Sequence, residues 1–240
     1  MKKLLFILVS VLMLYGSSGL KAQGFEGTMK VEYTDEAGAV NKADIIVRGD
    51  SFFINKEIGG AEKYESYILD VQHHSLSCLS FQNPKTAIVL DIDKVLSIYE
   101  KNKLKDNFKI HYTAPYKATD VVRPIEGMNA VEKTATDTKW NYAIWTVNAK
   151  INYAVLLPVL RIAGFWNELE NDNNVIVEGN VQNKQTSKFS KIKVTLTKGK
   201  MPIGSFVIPK DFQTVDLNKF IAEQSANPKL PSLVKAFVGF

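Results

Sequence analysis

The 240-residue chain is 45% hydrophobic, 23% charged and 10% aromatic, with a formal net charge of +5 and one cysteine. This balance excludes a disordered tail, a collagen-like repeat and a disulfide scaffold. The length suits one large domain or two small ones with a sizeable core.

The chain opens with Lys2 and Lys3, an apolar run from Leu4 to Tyr15, the small residues Gly16, Ser17, Ser18 and Gly19, and a cleavage point after Ala22. That is the three-part layout of a secretory signal peptide, so residues 1–22 are expected to be removed on export and the mature chain to start near Gln23. The apolar run is shorter than the ~20 residues of a membrane span. No cysteine follows the cut, which argues against a lipid anchor, and no later stretch reaches ~18 apolar residues. The expectation is a soluble periplasmic protein with no transmembrane segment. The signal holds Lys2, Lys3 and Lys21 and no acid; subtracting these three from +5 leaves +2. With them goes the compositional case for nucleic-acid binding. Cys78 has no partner for an internal disulfide and reads as a buried small hydrophobe.

From residue 25 the dominant period is two. Phe25, Met29, Val31 and Tyr33 alternate with Glu26, Thr28, Lys30 and Glu32, the mark of a half-buried strand. Ala43, Ile45 and Val47 follow, then Gly49-Asp50 and Phe52-Phe53-Ile54, which reads as a hairpin. Strands are predicted at 67–71, 76–81, 86–90, 108–112, 121–124, 130–134, 140–147, 175–181, 190–196 and 205–208. Regular spacing of ~8–12 residues between short strands is the signature of antiparallel β architecture. Helices are few: Asp91 caps one in which Ile92, Val95, Leu96 and Tyr99 share a face, and further short helices are predicted at 158–163, after Asp216 and from Leu230 to Phe237. With no repeat and no long linker, residues 23–240 form a single mainly β domain: a curved antiparallel sheet or half-open barrel with helices on its concave side.

In 140–147 both faces are apolar. Trp140, Tyr142 and Ile144 point one way; Ala143, Trp145 and Val147 point the other. A one-sided sheet does not need both, so either protein covers both faces or one face lines an apolar cavity. Trp145, mid-strand in this run, is expected to face inward.

The chain resembles an exported bacterial family of unknown function, related in fold to the periplasmic lipoprotein carriers. The resemblance is carried by Phe25-Glu26-Gly27-Thr28-Met29, by Ile125-Glu126-Gly127-Met128-Asn129-Ala130 followed by Tyr142-Ala143-Ile144-Trp145, and by Ser205-Phe206-Val207-Ile208-Pro209-Lys210-Asp211-Phe212. The central motif of that family has a cysteine between its glycine and a basic residue; here Gly127 and Lys133 are present and the cysteine is not. The resemblance implies a half-open β-barrel with a helical lid over an apolar cavity that holds acyl chains.

The polar clusters have plainer explanations. Adjacent His73 and His74 point to opposite faces of a strand, so they do not share a metal without a bend, and a solvated turn accounts for them. Asp91 and Asp93 read as a helix cap and a first-turn acid. The oxygen-rich stretch from Glu168 to Asn174 lacks EF-hand spacing and reads as a solvated loop, with weak calcium binding left open. Arg48-Gly49-Asp50 is turn chemistry. No nucleophile elbow, metalloprotease helix or phosphate-binding glycine loop occurs, so no catalytic residue, metal or cofactor is assigned. The apolar set around Tyr153, Leu156, Leu160, Phe165 and Trp166 reads as a core helix or as a plug over a ligand cavity. The expected role is a non-enzymatic binding or carrier protein for a lipid or lipoprotein acyl chain, with Trp140, Tyr142, Leu156, Leu160 and Trp166 at the ligand. The alternative is a structural or interaction module that meets another envelope protein.

Overall fold

A computed structural model describes residues 24–58, 63–81, 84–102, 116–152, 155–156, 159–160, 174–215 and 217. The predicted signal peptide, the predicted strand at 108–112, the helix from Leu230 to Phe237, most of the Glu168–Asn174 loop and Trp166 lie outside the described residues.

Twelve strands form one curved, unclosed sheet: β1 (Glu26–Thr34), β2 (Val40–Arg48), β3 (Ser51–Ile58), β4 (Lys63–Asp70), β5 (Ser75–Ser80), β6 (Thr86–Asp91), β7 (Lys117–Ile125), β8 (Met128–Thr136), β9 (Trp140–Val147), β10 (Val175–Asn183), β11 (Phe189–Lys198) and β12 (Gln213–Val215). Their order is β12-β6-β5-β4-β3-β2-β1-β11-β10-β9-β8-β7. The sheet is thus two meanders, β1–β6 and β7–β11, fused where β1 pairs antiparallel with β11. Every neighbouring pair is antiparallel except β12 beside β6. The free edges are blunted in two ways. β12 is three residues long, and β7 carries Pro124 and the charges of Lys117, Asp120 and Arg123.

Alternation within each strand becomes continuous apolar rows once the register aligns them. One row runs Met29, Ile45, Ile54, Tyr67, Cys78, Ile88 from β1 to β6. Beside it runs Gly27, Val47, Phe52, Leu69, Leu76, Leu90. All the side chains of these two rows are buried. Cys78 therefore sits as a small hydrophobe in the middle of the apolar face. The β2–β3 hairpin has the expected two-residue turn: Arg48 pairs with Ser51, and Gly49 takes φ +59°.

Helix α1 (Ile92–Asn102) follows β6 directly. The Asp91 carboxylate accepts from the amides of Asp93 (2.9 Å) and Lys94 (3.2 Å), as expected of its cap, and Ile92 and Val95 turn into the core. Residues 155, 156, 159, 160 and 217 are also helical. The predicted strand at 205–208 is corrected. Ile203–Phe206 is a single 3-10 turn, closed by Ser205 N–H to Pro202 O at 3.1 Å. Pro202 and Pro209 bracket this stretch, and it crosses the outer face of the sheet, where no strand offers ladder partners.

On β3–β6 the outer face is covered in part as well. On their outer face Ile68, Leu79 and Ala87 are buried under Phe212, with Phe53 and Ile208 packed alongside. The Phe212 ring meets Phe81 edge to face at 5.2 Å, and Lys85 sits 5.7 Å from its centre. The Lys85 ammonium also pairs with Asp211 at 2.7 Å, and that hydrogen bond holds the Asp211 carboxyl below its ordinary range. A depressed folded value adds stability above the ordinary carboxylate range and loses it as pH falls through the folded value. The pair is exposed, so its effect is small. The melting temperatures of the parent and of Asp211→Asn should therefore differ slightly at neutral pH and converge on acidification. A gap that stays constant with pH would contradict the assignment.

Candidate functional site

The inner face of the second meander carries the predicted ligand residues. Trp140 and Tyr142 on β9 are 7% and 2% exposed and point inward with Ile144. The turn before β9 fixes them: Asp137 accepts from the Trp140 amide at 2.7 Å and from the Tyr142 hydroxyl at 3.1 Å. Tyr116 meets Tyr142 edge to face at 6.0 Å. Leu156, Val159 and Leu160 are buried in the same cluster. Of the five predicted residues, Trp140, Tyr142, Leu156 and Leu160 all belong to the core cluster that runs along the inner face of the sheet.

The connection after β9 carries this segment across. Lys150, at φ +54°, accepts from the Phe25 amide at 3.2 Å. The Asn152 amide donates to Asp50 in the β2–β3 turn at 3.2 Å. The chain therefore leaves β9 and is pinned at the β2–β3 end of the other meander before residues 155–160 begin. The backbone bond into that segment, Leu156 N–H to Asn152 O at 3.3 Å, is local. In the ladder Lys133 pairs with Ile144, which places it on this same face, and burial pushes its ammonium below the ordinary lysine value.

Gly179 on β10 lies between Ile192 and Ile144 in the ladder. A Cβ there would come within 2.7 Å of Ile192 Cγ2 and 3.1 Å of Ile144 Cγ2, so glycine allows these side chains to close over the strand.

Trp145 corrects an expectation. It is half-buried on the face opposite Tyr142 and Ile144, with the Arg123 guanidinium 4.2 Å from the centre of its ring. Arg123 also pairs with Glu178, which stands opposite Trp145 in the ladder. Residues 123, 145 and 178 meet only through the pairing of β7 to β10, so no local motif could have announced them.

His73 and His74 lie in the turn after β4 and engage different carboxylates, Asp70 at 2.6 Å and Asp93 at 3.1 Å. Two shallow grooves lie on the polar face of β1 and its neighbours. The larger, ≈ 370 Å³, is lined by charges of both signs, including Lys30, Glu32, Lys42, Asp44 and Glu57. Among the described residues, no helix is long and apolar enough to cross a membrane, and no group of three metal-ligating side chains occurs.

No protein-family model matches the sequence, and no curated protein matches it. Among solved structures the chain is similar to PNGF-II at 12% identity and a TM-score of 0.43, over 83% of this chain and 33% of that one. It therefore spans about a third of PNGF-II. An uncharacterized conserved protein from Thermus thermophilus is similar at 6% identity and a TM-score of 0.44, over 80% of this chain and 91% of the other. MucB, solved in complex with MucA(peri), is similar at 9% identity and a TM-score of 0.37, over 80% of this chain and 57% of MucB.

Proposed function

We propose that this chain is a non-enzymatic, exported binding protein for a lipophilic group, which it takes up between the inner face of the sheet and the segment at 155–160. The observation that carries this reading is the construction of that segment. Leu156, Val159 and Leu160 are buried in the core of the inner face, yet residues 155, 156, 159 and 160 are helical and stand outside the sheet. Because these residues take no part in the strand ladder, the segment can move without breaking a ladder hydrogen bond. An acyl chain that takes the place of Leu156 and Leu160 replaces one apolar contact by another. Burial of ~10 methylenes is worth up to ~8 kcal/mol before the costs of association, enough for micromolar binding. The signal-like layout of residues 1–22 supports export to the periplasm.

The test is uptake of a fluorescent fatty-acid probe. The parent chain should bind it, and Leu160→Asp should abolish binding while keeping the β circular-dichroism spectrum. Leu160→Ala, which adds no charge, should weaken binding less. A parent chain that binds neither fatty-acid nor phospholipid probes would overturn the proposal. One observation favours the second reading, a structural or interaction module that meets an envelope protein: Leu156, Leu160 and Tyr142 are each at most 2% exposed, so none of them faces an open cavity.

A further inference from the structure

The outer face of β3–β6 carries a feature that neither the sheet nor the inner face requires. Residues 199–212 run as a strap across it. The strap starts where the amides of Gly199 and Met201 donate to the backbone and side chain of Glu26, at 3.1 and 2.7 Å. Its 3-10 turn lies against β3 and β4, and it ends where Phe212 closes the outer cluster and Gln213 N–H bonds Lys85 O at 2.9 Å. Ile208 and Phe212 face the sheet and account for the strap's attachment. Ile203 and Val207 do not: they are 67% and 58% exposed. Phe81 and Val89 stand on the same face of the sheet and are exposed as well. Eight large apolar side chains are exposed among the described residues, and these four are half of them. A single exposed apolar residue is ordinary, but a concentration on one face marks a contact surface.

Charge identifies the contact. Lys198, Lys200 and Lys210 are exposed around the turn, and residues 198–210 contain no acid. Three carboxylates beside the ends of the strap are already engaged, Asp211 by Lys85, Glu26 by the Met201 amide with Arg48 at 3.8 Å, and Glu126 by the Leu196 amide at 3.1 Å. A second copy of the chain would bring the same lysines face to face and is disfavoured. Exposed apolar tips flanked in sequence by exposed lysines match a layer of anionic headgroups above an acyl boundary.

We propose that the strap at 199–212 docks this protein on the surface of an anionic phospholipid bilayer. Ile203 and Val207 enter the headgroup layer, and Lys198, Lys200 and Lys210 meet the phosphates. This surface is opposite the lipophilic site and does not depend on it: a chain that fails to bind acyl probes can still dock, and a docking-defective variant should still take up the probe.

Because Cys78 is fully buried, a Val207→Cys variant of the full chain can be labelled selectively with an environment-sensitive NBD fluorophore. Val122→Cys, on β7 at the far edge of the sheet, is the control. With phosphatidylglycerol vesicles the label at 207 should shift to the blue and brighten, and the label at 122 should not. Phosphatidylcholine vesicles should leave both unchanged, and salt should reverse the shift. Adding Lys198→Glu and Lys200→Glu should lower the apparent vesicle affinity at least about tenfold. No change at 207 with phosphatidylglycerol, an equal change at 122, or an equal response to phosphatidylcholine would each overturn the proposal, the first leaving a protein partner as the occupant of this face.

Discussion

Gly27→Ala should destabilise the fold by about 2–4 kcal/mol, the sum expected when overpacking meets a strained backbone. Gly27 sits where the two meanders fuse, paired with Lys198 of β11 on one side and Val47 of β2 on the other. Its φ is +156°, and a Cβ there would lie 2.1 Å from Thr197 O and 3.0 Å from Lys198 Cα. Those are backbone atoms of the partner strand, so no side-chain rotation relieves the clash. Either β11 shifts away from β1 or the start of β1 comes off the sheet. Gly199→Ala is the matched control, since its Cβ would meet only Met201 Cε at 3.4 Å. Urea melts should separate the two variants widely. A Gly27→Ala transition that overlays the parent would contradict this account of the junction.

Phe52→Ala should cost ~3–5 kcal/mol, the usual range for truncating a buried aromatic ring. Phe52 is 0% exposed between Val47 and Leu69, in the middle of an apolar row that crosses six strands. Its neighbours lie on ladder-bonded strands and cannot collapse far into the space it leaves. Phe53, one residue on, points to the opposite face and is only half-buried beside Ile68 and Phe212. Phe53→Ala should therefore cost clearly less. Equal losses for the two variants would mean that the inner face is not the main core.

The sequence shows the strands well because their alternation is a local property. Phe25 to Tyr33 declares its buried face without reference to any other strand, and Gly49-Asp50 declares its turn. Pairing is not local. Nothing in Gln213–Val215 marks a strand, since three residues are too few for a period, and only Thr86–Ile88 beside them makes them one. Residues 205–208 show the opposite error: they have strand-like composition but lie flat on a sheet face between two prolines. Alternation puts Trp145 opposite Tyr142 and Ile144, as the structure has it, but with both faces of the strand apolar it does not say which of them is the core. What decides it is the Arg123 guanidinium, brought over the ring from two strands away. The candidate site was legible in part. Trp140 and Tyr142 fall on the inner face by alternation, and Leu156 and Leu160 stood out as a short apolar run. That the latter pair joins the core of the inner face follows a chain pinned at Lys150 and Asn152 to the far hairpin, a contact that no spacing encodes.

Native mass spectrometry of the protein recovered from its own cell envelope tests the proposed role most directly. The account predicts a population heavier than the polypeptide by the mass of an acyl-bearing lipid, released on denaturation and missing from Leu160→Asp. A parent chain recovered from the envelope only at its bare polypeptide mass would contradict it.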